Sequence, residues 1–130
     1  MAVLLRALTL AALVSCLQLS DAIQIVPTPS TPRVGQTVTL SVQGIRDPTI
    51  CFWFRGNRFD KGRMIFQIEA GRVVSRGGGS TDRHSLGRDC ALVIQGVQSP
   101  DAGEYYFIAL HGRRSGQRWE DALTQLQVSN

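Results

Sequence analysis

From residue 23 onward the chain sustains no helical period. Its apolar residues fall in short runs of period two, separated by glycine- and proline-rich turns. IQIV at 23–26 opens the series, and Pro27, Pro29 and Pro32 after it suit an edge or connecting segment. Val38, Leu40 and Val42 line one side of TVTLSV at 37–42. ICFWFR at 50–55 is a short apolar run, and RMIFQIE at 63–69 follows it after the turn GNRFDKG at 56–62. ALVIQGV at 91–97 offers Leu92, Ile94 and Val97 to a core. SPDAGEYYFIAL at 99–110 is a turn leading into a longer strand, and ALTQLQV at 122–128 closes the series. RGGGSTD at 76–82 reads as a plain flexible loop, and HGRRSGQ at 111–117 as a polar hairpin tip. Many short strands without an internal repeat specify an all-β sandwich or barrel, and pattern alone leaves a jelly roll open.

The N-terminus sets the expected compartment. Arg6 precedes an apolar stretch over 7–19, and Ser20 and Ala22 place small residues before a cut after Ala22. This is the plan of a secretory signal peptide over 1–22, because the stretch is short for a membrane span. The domain is then expected over 23–130, in a product that is secreted or lies on the extracellular side of the cell surface. Further apolar runs of membrane length and lipid-anchor signals are lacking, so no membrane anchor is expected within this chain. Cys16 would leave with the leader, and Cys51 and Cys90 would remain in an oxidising compartment.

The chain carries a net charge of +4, and Lys61 is the one lysine among its 14 basic residues. Arginine suits carboxylate, phosphate and sulfate through its planar fork. The charge is too mild to indicate a nucleic-acid partner. His84 and His111 have no cysteine or carboxylate at zinc spacing, and no nucleophile elbow, phosphate loop or EF-hand loop is present. Gly77 to Gly79 lacks the strand and helix of a phosphate site. The expectation is a protein that is not an enzyme and uses no cofactor or metal.

Three features narrow the sandwich. Trp53 lies in the middle of an apolar strand that ends in an arginine and a glycine turn. Asp101-Ala102-Gly103-Glu104-Tyr105 is a D-x-G-x-Y turn, in which glycine permits the bend and the tyrosine hydroxyl caps backbone at a sandwich corner. Arg83 lies 18 residues before Asp101, at the end of a loop. In that order the chain resembles an immunoglobulin V-set domain. More narrowly, it is similar to the N-terminal domain of the carcinoembryonic-antigen-related cell adhesion molecules. The residues that carry the resemblance are TLSVQGI (39–45), WFRGNRFD (53–60), Arg63, Arg83, ALVIQGV (91–97) and DAGEYYF (101–107). It implies a salt bridge between Arg83 and Asp101.

It also implies a V-set sandwich without the usual B–F disulfide, since Val42 and Phe107 stand where those cysteines would be and would pack with Trp53. Burying a side chain such as Phe contributes roughly 1.5–3 kcal/mol, against about 2–4 for a disulfide. Cys51 and Cys90 depart from that pattern. Each is two residues from an inward position, Trp53 or Leu92, and in a V-set domain both would lie near one end of the core. They could bridge, remain two buried thiols, or pair with another chain.

Alternation with Trp53 and Tyr105 inward turns Phe52, Phe54, Tyr106, Ile108 and Leu110 outward, and Met64 and Phe66 are read the same way, with Phe59 beside them. Ile68 is assigned to the same side. In the family's lettering these share the GFCC′ sheet, whose wet side should be polar. An apolar patch there marks a protein interface. The resemblance implies homophilic or heterophilic docking through this sheet, at positions matched by Phe54, Phe59, Met64, Ile108 and Leu110. The expected function is cell adhesion through a protein partner or self-association, including a homodimer. One alternative is an immune-receptor-type ligand domain using its loops. The other is a soluble binder of anionic glycans through Arg113, Arg114 and Arg118 on the F–G hairpin. The family is heavily glycosylated, whereas this chain has no N-x-S/T sequon.

Overall fold

The computed structural model describes residues 22–112 and 116–130. The expected leader lies outside the described residues except for Ala22, and Arg113 and Arg114 lie outside them altogether. The strands in chain order are β1 (Gln24–Thr28), β2 (Val38–Gln43), β3 (Ile50–Arg55), β4 (Met64–Glu69), β5 (Arg72–Arg76), β6 (His84–Leu86), β7 (Leu92–Ile94), β8 (Gly103–His111) and β9 (Arg118–Leu126). One sheet has the order β1-β2-β7-β6 and the other β5-β4-β3-β8-β9. The pairings within both are antiparallel. Strands β5 and β6 are absent from the sequence reading, and β9 begins at Arg118 rather than Ala122. These segments are short or carry charge at an edge, so their apolar alternation is weak.

The core lies between the sheets. Leu40, Trp53, Phe66, Leu92, Ile94, Val97, Tyr105 and Phe107 are all fully buried, and Val42 is nearly so. The Trp53 and Phe107 rings lie 4.8 Å apart, and Trp53 Nε1 donates to the Cys90 carbonyl at 2.7 Å. Apolar side chains thus occupy positions 42 on β2 and 107 on β8. The covalent link between the sheets is a Cys51–Cys90 disulfide, with Cα atoms 6.4 Å apart, joining β3 to the turn that leads into β7.

The D-x-G-x-Y corner closes the other end. The Tyr105 hydroxyl donates to the Asp101 carbonyl at 2.6 Å. The buried Asp101 carboxylate accepts from Arg83 Nη2 and, at 2.7 Å, from the Gln98 backbone N–H. Gly103 has φ +128°, a conformation that side-chain-bearing residues rarely adopt.

Two expectations are corrected here. The register of β3 against β4 shifts between Trp53 and Phe54, so Phe54 pairs with Met64 while Trp53 pairs with Phe66. Ile65 is the extra residue of a β-bulge, which reverses the alternation after it. Phe66 and Ile68 therefore face the core, at 0% and 1% exposure, and do not belong to the outer face. The glycine run is also no plain loop. It packs on the backbone of the turn before β4: a Cβ at Gly77 would lie 2.6 Å from the Met64 carbonyl oxygen, and Gly78 and Gly79 approach the Gly62 and Arg63 carbonyls as closely. Gly79 N–H donates to the Met64 carbonyl at 2.9 Å.

His84 on β6 is buried. Its Nδ1 accepts from the Thr81 backbone N–H at 3.0 Å, which places the proton on Nε2, a buried atom with no hydrogen-bond partner among the described residues. Burial pushes its pKa down to about 4, with nearby arginines adding to the effect and Asp101 opposing it. The folded protein therefore keeps His84 neutral while the unfolded chain takes up a proton below about pH 6.5. This contribution to stability is constant above that pH and falls as the pH drops toward 4. We expect a loss of about 2 kcal/mol between pH 7 and 5. Urea titrations of wild type and His84→Asn across that range check this: Asn keeps an acceptor near Nδ1 and should flatten the slope, and equal slopes would refute the assignment.

Candidate functional site

The outward side of the five-stranded sheet is built in rows by its register. Met64, Phe54, Tyr106 and Leu123 form one row. Gln67, Phe52, Ile108 and Asp121 form the next, and Glu69, Ile50, Leu110 and Trp119 the third. Gln67, Asp121 and Glu69 stand at the margins of the second and third rows, and the rest of the surface is apolar or aromatic. Phe59, on the turn after β3, folds onto this surface, its ring 4.5 Å from Phe54 and 5.4 Å from Phe52. Trp119 reaches over from β9, its ring 6.4 Å from Phe52.

The structure sorts the residues expected on this face. Phe52, Met64, Tyr106, Ile108 and Leu110 are half-buried on the outer side, and Phe59 is exposed. Phe54 points to the outer side but is fully buried beneath its aromatic neighbours, so it supports the surface from below. Phe66 lies in the core, as described above. Trp119 and Leu123 are each 51% exposed and extend the patch, and Phe59 is 49% exposed. Sequence reading missed Trp119 because it began the last strand at Ala122, and it gave no face to Leu123 inside that strand. The period-two spacing of Trp119, Asp121 and Leu123 was the available signal.

One polar tie crosses the patch. The Tyr106 hydroxyl donates to Asp121 Oδ2 at 2.6 Å. Partial burial and that hydrogen bond raise its pKa to about 12, so it remains a donor at neutral pH.

At the F–G hairpin the described arginine is already engaged. Arg118 Nε donates to Glu120 Oε1 at 3.0 Å, and His111 Nε2 lies 2.7 Å from the same oxygen. His111 Nδ1 accepts from the Arg46 backbone N–H, so Nε2 carries the proton and donates. Burial alone would raise the pKa of Glu120, but the hydrogen bonds from His111 and Arg118 outweigh it and hold the carboxyl below its usual range. Arg118 therefore carries its own counter-charge.

The fold matches solved structures over most of its length. Murine CEACAM1b aligns with TM-score 0.72 and 21% identity, covering 83% of this chain and 54% of that one. The chain has the immunoglobulin V-set fold, and it resembles the N-terminal domain of the CEACAM molecules. A chain in the complex of the mouse coronavirus receptor-binding domain with its murine receptor aligns with TM-score 0.68 and 18% identity, covering 82% of the V-set domain's chain and 53% of its own. The V domain of amphioxus IgVJ-C2 aligns at 0.57 and 17% identity, covering 77% and 99%. By sequence, the cell adhesion molecule CEACAM16 of Rattus norvegicus and of Mus musculus are each 36% identical over 85 residues, or 65% of this chain. The chain spans about a fifth of the length of those curated relatives, 20%. No protein-family model matches it.

Proposed function

We propose that this V-set domain is a protein-recognition module of cell adhesion. It docks on a second copy or on another protein through the outer face of the β5-β4-β3-β8-β9 sheet, the GFCC′ face in the family's lettering. The observation that carries the reading is the apolar surface of Phe52, Phe59, Ile108, Leu110, Trp119 and Leu123 where a solvated sheet would alternate to polar. Similarity to proteins named as cell adhesion molecules supports it. A leader over 1–22 would deliver the domain to the extracellular side, and the Cys51–Cys90 bond suits that oxidising setting. Withdrawing the exposed parts of these side chains from water favours docking, and the gain is partly offset by the freedom lost on association, so the central residues must be covered together. Binding of this kind is nearly insensitive to salt.

Ile108→Asp and Trp119→Asp place a charge in the middle and at the flank of the patch without entering the core. Each should weaken docking at least tenfold while the thermal midpoint stays within a few degrees. Sedimentation velocity across concentration measures self-association, and beads coated with the mature chain report clustering with one another or adhesion to cells. Folded variants that cluster and adhere like wild type would refute the assignment of this face.

A further inference from the structure

The turn between β3 and β4 gathers cations that nothing else on the described chain neutralises. Arg58, Lys61 and Arg63 lie within six residues and all three are exposed. None is among the ion pairs of the described residues, which join Arg83 to Asp101 and His111 and Arg118 to Glu120. The one acid of the turn, Asp60, is half-buried, and its Oδ1 accepts from the Gly62 backbone N–H at 3.0 Å. Arg76, just before the glycine run that packs on this turn, lies with its guanidinium 4.7 Å above the Phe66 ring and adds a cation to the same end.

This turn is held rigid. Arg63 N–H donates to the Asp60 carbonyl at 2.9 Å, a 3-10 turn runs over Lys61–Arg63, and the glycines at 77–79 press on its backbone. The Arg63 guanidinium folds back over Gly56, where a Cβ would lie 3.2 Å from it. Cationic heads on a fixed turn lose less entropy on binding than on a mobile loop. Arg118 at the F–G hairpin, by contrast, already faces Glu120.

We propose that this turn binds a sulfated polysaccharide through Arg58, Lys61 and Arg63. The guanidinium forks match sulfate oxygens in pairs, and separate cations on one exposed turn suit a chain of repeated anions better than one small anion in a pocket. Phe59, the turn's one large apolar residue, is laid sideways on Phe54 and Phe52. It therefore does not project as a membrane wedge, nor does it give the turn itself the apolar centre of a protein interface. The turn borders the docking face, to which its Phe59 contributes, but Arg58, Lys61 and Arg63 are not among the residues that form that face, so loss of one function by substitution leaves the other testable.

Heparin is the probe, used with the mature secreted chain and titrated against salt. Wild type should bind, with affinity falling steeply as salt rises. The triple variant Arg58→Ser, Lys61→Ser, Arg63→Ser should bind roughly ten- to a hundredfold more weakly. The double variant Arg58→Lys, Arg63→Lys keeps the charge and guards against misfolding. It should lose a few-fold, for want of the planar fork. Arg33→Ser with Arg72→Ser, exposed cations elsewhere, should leave heparin binding unchanged. Undiminished binding by the folded triple variant would overturn the proposal. So would equal binding of desulfated heparin or polyglutamate, or tighter binding to phosphatidylserine vesicles than to heparin.

Discussion

Replacing Cys51 and Cys90 together by alanine should lower the stability of the domain by about 4 kcal/mol. The bond spans 39 residues of sequence, and closing a loop of that length removes roughly this much freedom from the unfolded chain. For a domain near 100 residues the thermal midpoint should fall by about 15–30 °C. The position of the bond makes a large effect reasonable. It ties β3 of one sheet to the turn that begins β7 of the other, beside the Trp53 indole that donates to the Cys90 carbonyl. Loss of the bond frees that turn, where Asp89 and Cys90 both hold positive φ, 53° and 63°. Nothing covalent then links the two sheets away from the loops, because positions 42 and 107 are valine and phenylalanine. Urea unfolding of wild type and the double variant, under non-reducing conditions, measures the difference. A loss below 1 kcal/mol would mean that apolar packing alone holds the sheets together.

Asp101→Ala should cost about 3 kcal/mol, near the lower end of what breaking a buried ion pair costs. The carboxylate is buried and accepts from Arg83 Nη2 and from the Gln98 backbone N–H. Alanine leaves both donors unpartnered at the corner where the Tyr105 hydroxyl is also anchored. The Arg83 side chain is 30% exposed, so water recovers part of the loss, which is why the lower end applies. Asp101→Asn keeps an acceptor but removes the charge and should fall between the two. In an Arg83→Met background the cost of Asp101→Ala should shrink by at least 1 kcal/mol, since one of the stranded donors is then gone. Equal costs in both backgrounds would show that the carboxylate acts on Gln98 alone.

What could be read ahead of the structure divides by the range of the interaction. The D-x-G-x-Y corner is local: Tyr105 reaches the Asp101 carbonyl four residues back, so spacing in the chain is spacing in space. Leu92 and Ile94 were legible as core because period two is fixed by the strand itself, whereas Trp53, in a run that is apolar throughout, was turned inward by the family resemblance. The same rule failed in β4. One extra residue, Ile65, sent Phe66 inward, and a bulge is a property of the pairing with β3 that β4 does not carry alone. Phe54 was placed on the correct side but not at the correct depth, since its cover comes from Phe52, Phe59 and Tyr106 together.

By itself, then, the sequence determined an all-β chain of short strands and its D-x-G-x-Y turn, because these follow from alternation or from contacts a few residues apart; the V-set sandwich, its tryptophan-centred core and its apolar outer wall were what the family resemblance implied. Only the tertiary structure decided that Cys51 joins Cys90, that Trp119 and Leu123 complete the outer wall, and that the glycines at 77–79 clamp the basic turn. Those facts depend on which strands lie side by side and how closely backbones approach across tens of residues, and no local pattern encodes that separation.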